Sequence, residues 1–165
     1  MKTALTSLAI FLVPLAVNSQ EAKPLDPAIS VLSKFVGGKW NAVGDMPITH
    51  VWKWNADKRG LSANNVIGLP GGKSMLSTVF IGWDPIAKKT YYLDMHDSEK
   101  TYYGHITEKG GSVEFQFGEL GSGKIDWIER GKFVGEDEWQ ASLYQIKDSK
   151  EVLLASFKMK RVREN

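Results

Sequence analysis

The chain has 165 residues and no cysteine, so its stability cannot depend on disulfide bonds. The same absence removes a thiolate nucleophile. Neither a Gly-x-Ser-x-Gly elbow nor a His-Glu-x-x-His zinc helix occurs in the sequence. These gaps weaken an enzymatic interpretation without excluding one, so the sequence leaves open whether the protein is an enzyme.

The net charge is also small. The chain carries 21 Lys and Arg residues against 19 Asp and Glu residues. Without Lys2, which belongs to the N-terminal segment described next, the balance is 20 against 19, a net charge near +1. So weak a field does not favour nucleic acid or an anionic membrane as a partner, and we expect neither.

Long apolar runs are missing apart from one at the N-terminus. Lys2, followed by the apolar run Leu5 to Val17, predicts a signal peptide over residues 1–19, cleaved near Ser19-Gln20. At roughly a dozen residues the run is too short to span a membrane, and a retained anchor is the alternative. No cysteine follows it to carry a lipid. We expect an exported protein, periplasmic or secreted, with one domain over residues 20–165.

One short helix is predicted directly before the first strand. Asp26 suits the N-cap, because its carboxylate can accept from the free amides of the first turn, and Pro27 suits position N1. The pair Gly37-Gly38 ends the helix, since glycine adopts positive φ without strain. The helix therefore runs from Pro27 to Phe35, and Trp40 opens the first strand.

The chain after Trp40 has the pattern of β-structure. Residues 48–54 alternate strictly, with His50, Trp52 and Trp54 on one face. Turn signals recur every ~8–12 residues and divide the chain into about ten strands. Residues 151–162 also alternate, which argues against a rival fold with a long C-terminal helix. We predict an all-β protein, a single closed antiparallel barrel with the helix across one end.

Short motifs between the helix and the middle of the chain support a family resemblance. They are Phe35-Val36-Gly37-Gly38-Lys39-Trp40, Gly82-Trp83-Asp84-Pro85, Tyr91-Tyr92, Asp97-Ser98 and Tyr103-Gly104. On these motifs the chain resembles a family of exported bacterial domains of unknown function and, more broadly, the calycin superfamily of lipocalin, fatty-acid-binding and nitrobindin barrels. The resemblance implies a closed, ligand-binding barrel and a basic residue, Arg161 or Arg163, packed across Trp40. The last strands hold no His to ligate a nitrobindin haem, so we expect no cofactor.

The hairpin of residues 91–106 can present either of two faces to the barrel interior. A two-residue turn at Ser98-Glu99 would place its polar side chains on one face. The pairs are then Tyr92 with His105, Asp94 with Tyr103, and His96 with Thr101. The opposite face holds Tyr91, Leu93, Met95, Tyr102 and Ile106. Because the second face is more hydrophobic, we predict that it lines the barrel and that the polar face is solvated.

The aromatic residues indicate where an apolar ligand would lie. Tryptophans at positions 40, 52, 54, 83, 127 and 139 fall on predicted strands. They form ordinary core, a cavity wall, or both. The wall residues that we predict are Trp40, Trp52, Trp54, Phe80, Tyr91 and Leu93.

An alternative register turns the polar face of the hairpin inward. Asp94, His96, Tyr103 and His105 would then form a polar site able to bind a head group or exchange protons. His96 and His105 would lie two pairs apart, an awkward spacing for a shared metal ion. We therefore predict no metal site.

Three functions remain open from the sequence. The first, which we favour, is an exported barrel that binds a small apolar or amphipathic molecule. The second is a barrel enzyme in which Asp94, His96 and His105 supply acid and base groups. The third is a barrel filled by its own side chains, with a structural or partner-binding role. Nothing in the sequence indicates an oligomeric state.

Overall fold

The computed structural model describes residues 25–42, 47–55 and 58–162. The predicted signal peptide and Arg163 lie outside these residues. Among the helices that are described, none is long and apolar enough to cross a membrane.

A short helix, α1 (Pro27–Leu32), opens the described chain and continues as a 3₁₀ turn at Ser33–Phe35. Its N-cap is Asp26, as predicted, because Asp26 Oδ1 accepts from two backbone N–H groups of the first turn at 2.9 and 3.2 Å. The same oxygen accepts from Thr90 Oγ1 at 2.6 Å, which ties the helix to the barrel wall. The helix residues buried against the barrel are Ala28, Ile29 and Leu32.

Ten strands follow in the described residues, and each is antiparallel to its neighbours. Strand β1 pairs with both β2 and β10, so the sheet closes on itself. The predicted closed antiparallel barrel is confirmed. Closure leaves no edge strand along the ladder, which suits a chain without disulfide bonds. The strands are β1 (Lys39–Ala42), β2 (Ile48–Trp54), β3 (Gly60–Gly68), β4 (Ser74–Asp84), β5 (Lys89–His96), β6 (Thr101–Lys109), β7 (Ser112–Glu119), β8 (Trp127–Phe133), β9 (Glu138–Lys147) and β10 (Lys150–Val162).

The barrel has two chemically different ends. Helix α1 contacts β4, β6 and β7 and lies at the end where β1 and β5 begin, which we call the helix end. The connections at 69–73, 97–100, 120–126 and 148–149 lie at the opposite end, which we call the loop end. The helix covers one end of the barrel, as predicted.

Aromatic rings fill the helix end. Phe35 packs edge-on against Trp40, with ring centroids 4.9 Å apart, and against Trp139 at 5.1 Å. It stacks on Trp52 at 5.3 Å and contacts Phe133 at 4.8 Å. Trp40 is fully buried, and its Nε1 donates to the C=O of Phe35 at 2.9 Å. The helix end is therefore packed core.

Arg161 of β10 is the basic residue predicted to pack across Trp40. Its guanidinium carbon lies 4.7 Å from the Trp40 ring centroid, and its Nη2 donates to the C=O of Lys34. Its Nε lies 3.1 Å from an Asp137 carboxylate oxygen. A Cβ at Gly38 would lie 2.9 Å from Arg161 Cγ, so the glycine makes room for this side chain.

Candidate functional site

The hairpin of β5 and β6 has a different register from the one predicted. Asp94 pairs with Tyr102 and Tyr91 with His105, a shift of one residue from the predicted pairing. The loop is longer than two residues, because the backbone N–H of His96 donates to the C=O of Lys100 at 2.9 Å. Glu99 within this loop adopts φ +66°. The prediction of a tight Ser98-Glu99 turn was therefore wrong.

The predicted inner and outer faces of the hairpin were wrong for β5 but right for β6, where Tyr102 and Ile106 face inward as predicted. On β5 the residues that face the interior are Thr90, Tyr92, Asp94 and His96, and on β6 they are Tyr102, Gly104 and Ile106. The outward set is Tyr91, Leu93, Met95, Tyr103 and His105. Hydrophobicity misled the prediction because the polar side chains of β5 bond to one another inside the barrel. Asp94 and His96 thus belong to the interior, whereas Tyr103 and His105 do not join them.

The predicted ligand wall is divided between the two surfaces of the barrel. Trp40, Trp52 and Trp54 face inward. Phe80 is 42% exposed and pairs with the outward Leu93. The remaining predicted wall residue, Tyr91, stacks on the exposed Tyr103 with ring centroids 5.6 Å apart. Phe80, Tyr91 and Leu93 are therefore outer-surface residues, and their assignment to an interior wall was wrong.

Asp94 is the centre of the interior hydrogen bonding. Its Oδ2 accepts from Tyr92 Oη at 2.9 Å and from His96 Nε2 at 3.0 Å. The other ring nitrogen of His96 lies 3.2 Å from Met75 Sδ. Asp94 is 7% exposed, so this carboxylate is held inside the barrel by named partners.

A row of polar side chains crosses four neighbouring strands beside Asp94. His50 on β2 pairs with Asn65 on β3, Asn65 with Ser77 on β4, and Ser77 with His96 on β5. Asn65 Nδ2 donates to Ser77 Oγ at 3.0 Å. Because directly paired residues share a face, all four side chains point inward. The prediction that His50, Trp52 and Trp54 share one face of β2 is confirmed, and this face points inward.

Glu129 approaches the same interior from the opposite side of the barrel. It pairs with the buried Phe115 on β7 and with Leu143 on β9, so it faces inward. Burial, and secondarily the charge of Asp94, raise the pKa of Glu129 to about 7. We define the interior polar cluster as His50, Asn65, Tyr92, Asp94, His96 and Glu129.

The environment shifts two further members of the cluster. Burial lowers the pKa of His50 to about 4, although the Asp94 charge acts in the opposite direction. His50 is therefore neutral at pH 7. Burial, followed by the charge of Asp94, raises the pKa of the Tyr92 hydroxyl well above its ordinary value.

Several polar atoms of this interior have no hydrogen-bond partner within the described part of the chain. They are His50 Nδ1, Trp52 Nε1, Asn65 Oδ1 and Asp94 Oδ1. Asn65 is only 5% exposed, and the described atoms bond its amide nitrogen alone. A buried acceptor without a donor costs about 1–3 kcal/mol, so such a concentration is unusual for plain core.

Aromatic rings line the interior next to these atoms. The ring of Tyr92 contacts Phe115 at 5.4 Å and Phe117 at 5.3 Å between centroids. Tyr102 lies 6.0 Å from Phe117 and 5.0 Å from the ring of His96. The rings of Tyr92, Tyr102, Phe115 and Phe117 form one wall between Asp94 on β5 and Glu129 on β8, which gives the site both polar and apolar surface.

The sequence reasoning missed Glu129, Asn65 and Tyr92 as members of a site and assigned His50 only to the tryptophan face of β2. Glu129 has the same strand parity as Trp127 and Phe133, whose aromatic side chains mark the inward face of β8. This even spacing from Trp127 and Phe133 could have identified Glu129 as an inward residue from the sequence alone. Asn65 could not be found in this way, because its role depends on pairing with two other strands.

A separate open groove of about 1240 Å³ runs over the outer face of β7 to β10. Arg130 crosses it and donates to Glu114 and to Glu151, each at 2.6 Å. The bonds from Gln116 and Arg130 lower the pKa of Glu114 despite its partial burial. Since these charges neutralise one another within the fold, we place the candidate site inside the barrel instead.

Among the described residues, no three His, Asp or Glu side chains are grouped so as to hold a metal ion.

Comparisons with known proteins do not assign the site. No protein-family model matches the chain, and no curated protein matches it either.

Proposed function

We propose that the interior of this barrel binds a small amphipathic molecule. The apolar part of the ligand would contact the wall formed by Tyr92, Tyr102, Phe115 and Phe117. Its polar group would bond to atoms of the interior polar cluster. The helix end is packed, so the ligand would approach from the loop end.

The observation that carries this proposal is the set of unpartnered polar atoms in the interior. Asp94 Oδ1 and Asn65 Oδ1 are buried acceptors to which no described protein group donates. A barrel with a purely structural role gains nothing from such atoms, because apolar residues of similar size would pack there without the desolvation cost. A bound molecule with a donor group would offset that cost.

A fluorescence titration with two matched variants tests the proposal. The probe is N-phenyl-1-naphthylamine, which is neutral and fluoresces strongly in apolar surroundings. Phe117→Leu alters the interior wall, whereas Phe80→Leu makes the same change on the outer surface. We expect Phe117→Leu to weaken binding about 5- to 10-fold, roughly 1 kcal/mol, and Phe80→Leu to leave it unchanged.

Two results would count against interior binding. One is the absence of any probe binding by the folded protein, which would support a filled structural barrel. The other is weaker binding by Phe80→Leu with no change in Phe117→Leu, since the probe would then lie on the outer face. Circular dichroism of each variant confirms that the barrel is intact.

Acid–base catalysis on the bound molecule is a second candidate function, favoured by Glu129. A carboxyl group whose pKa is raised to about 7 can both take up and release a proton at neutral pH. The predicted trio of Asp94, His96 and His105 cannot act together, because His105 faces outward. Any such activity should fall by about 10²-fold or more in Glu129→Gln, with His105→Phe unaffected.

A further inference from the structure

The interior-facing charges have one sign at the centre of the barrel. Asp94 and Glu129 are the carboxylates there, and burial together with Asp94 opposes ionisation of Glu129. In the described residues, the lysines at inward strand positions are Lys147 and Lys150, which pair with each other at the loop end and are exposed. Arg161 does face inward, but it lies at the helix end over Trp40. The inward cations therefore lie at the two ends of the barrel, whereas the carboxylates of Asp94 and Glu129 lie between them.

The unpartnered atoms are mainly hydrogen-bond acceptors. Asp94 Oδ1 and Asn65 Oδ1 can only accept, and both side chains are more than nine-tenths buried, at 7% and 5% exposed. His50 is neutral at pH 7, so its unpartnered Nδ1 is an acceptor in one of its two tautomers. The one fixed donor among these atoms is Trp52 Nε1.

The aromatic wall complements the same kind of ligand. Tyr92, Tyr102, Phe115 and Phe117 lie between the two carboxylates and present ring surface to the interior. A cation held against such rings is attracted by their negative faces, more strongly when water is excluded. An anion would meet the negative ring faces and two carboxylates together.

We propose that the amphipathic ligand of this barrel is a cation, specifically a primary amine whose ammonium group binds between Asp94 and Asn65. The three N–H donors of an ammonium group match the acceptors at Asp94 Oδ1, Asn65 Oδ1 and His50 Nδ1. This inference rests on the proposed function, because it requires that the interior admits a ligand.

Three probes that share a phenylethyl group separate the charge of the ligand from its apolar part. They are 2-phenylethylamine, 2-phenylethanol and 3-phenylpropanoate, measured by isothermal titration calorimetry at pH 7. We expect the amine to bind at least ~10-fold more tightly than the alcohol, and the carboxylate to bind most weakly. Equal binding of amine and alcohol, or tighter binding of the carboxylate, would overturn the inference while leaving the proposed function intact.

If none of the three probes binds, the inference is overturned in that case too. The proposed function then fails only if N-phenyl-1-naphthylamine also fails to bind. The two failures are thus distinguishable.

A pair of charge-neutralising variants tests where the ammonium group sits. Asp94→Asn should reduce the preference for amine over alcohol to within about 3-fold, because it removes the charge but keeps an acceptor for Tyr92. Asp97→Asn makes the same change in the exposed loop of the same hairpin and should leave the preference unchanged. Equal effects of both variants would indicate long-range attraction only and would refute the assigned position.

Proton release provides a readout that does not depend on Asp94→Asn remaining folded. An ammonium group bound at Asp94 would offset the negative charge that opposes ionisation of Glu129, so amine binding at pH 7 should release up to about half a proton. The release is measured by titration in buffers of different ionisation enthalpy. It should vanish in Glu129→Gln and for 2-phenylethanol, and amine binding without release would contradict the proposal.

Other titratable groups share these strand faces with Glu129. They are His50, Tyr92, Asp94, His96 and Tyr102, with Glu108 and Arg161 nearer the helix end and Glu119, Lys147 and Lys150 nearer the loop end. His50 stays neutral and Tyr92 stays protonated at pH 7, so neither supplies the released proton.

Discussion

Glu129 and His50 are buried groups whose pKa values are shifted in opposite directions, so each makes the stability of the barrel depend on pH. Variants that remove one of the two groups should reveal this dependence. The pKa of Glu129 is raised from 4.5 to about 7, so between these values the folded protein holds a proton that the unfolded chain has lost. Stability therefore falls with rising pH across this window, by about 1.4 kcal/mol per pH unit and roughly 3 kcal/mol in all. Below pH 4.5 the contribution is fully present, and above pH 7 it is gone.

His50 acts in the opposite direction. Its pKa is lowered from 6.5 to about 4, so between these values the unfolded chain binds a proton that the folded protein does not. Stability then rises with pH across the window at about the same 1.4 kcal/mol per unit. In the parent protein the two slopes nearly cancel between pH 4.5 and 6.5.

Removing one of these two groups should leave the pH dependence of stability that the other group causes. We expect Glu129→Gln to become more stable with rising pH from about 4.5 to 6.5, and to exceed the parent by roughly 3 kcal/mol at about pH 8. His50→Gln should lose stability over the same range. The assay is urea unfolding at half-unit pH steps, followed by tryptophan fluorescence, with the exposed Glu136→Gln as control.

The reasoning is refuted if the stability difference between Glu129→Gln and the parent does not change with pH. Glu129 would then titrate normally, and its side chain would have to reach solvent. The same difference appearing in Glu136→Gln would show a general charge effect instead.

Two further predictions concern the fold. Gly131→Ala should lower the stability measured by thermal unfolding by about 1–3 kcal/mol, because a Cβ there would lie 2.0 Å from Trp139 Cζ2. The control Gly82→Ala should be neutral, because a Cβ at Gly82 would have nothing within 4 Å. Equal effects of the two variants would refute the contact. Asp26→Ala should lower the stability measured by urea unfolding by about 1–2 kcal/mol, because it removes the N-cap and the hydrogen bond from Thr90. Asp26→Asn keeps an acceptor oxygen and should recover most of the lost stability. No recovery would assign the effect to the charge of Asp26.

Local patterns were enough to predict the strands. Residues 48–54 form β2 as predicted, because alternation and the flanking turn residues are properties of the segment itself. The same holds for Asp26 as N-cap. Arg161 was predicted only through the calycin resemblance, which offered it together with Arg163.

The register of the β5–β6 hairpin and the inward face of β5 could not be predicted by the same means. The register depends on a loop in which Glu99 adopts positive φ, and a non-glycine residue gives little warning of that. The choice of face depends on partners from β2, β3 and β8, which lie far away in sequence. Knowing which face of the hairpin is more apolar gives no information about such partners.

The arrangement of the two ends explains why a polar interior is compatible with a stable barrel. The apolar core lies at the helix end, where aromatic rings pack around Phe35 and Arg161 lies over Trp40. The desolvation cost of Asp94, Asn65 and Glu129 falls on the rest of the interior, away from that core. Because a cation bound between Asp94 and Asn65 would lower this cost, a ligand in the interior should stabilise the fold by RT ln(1 + L/Kd), where L is the free ligand concentration.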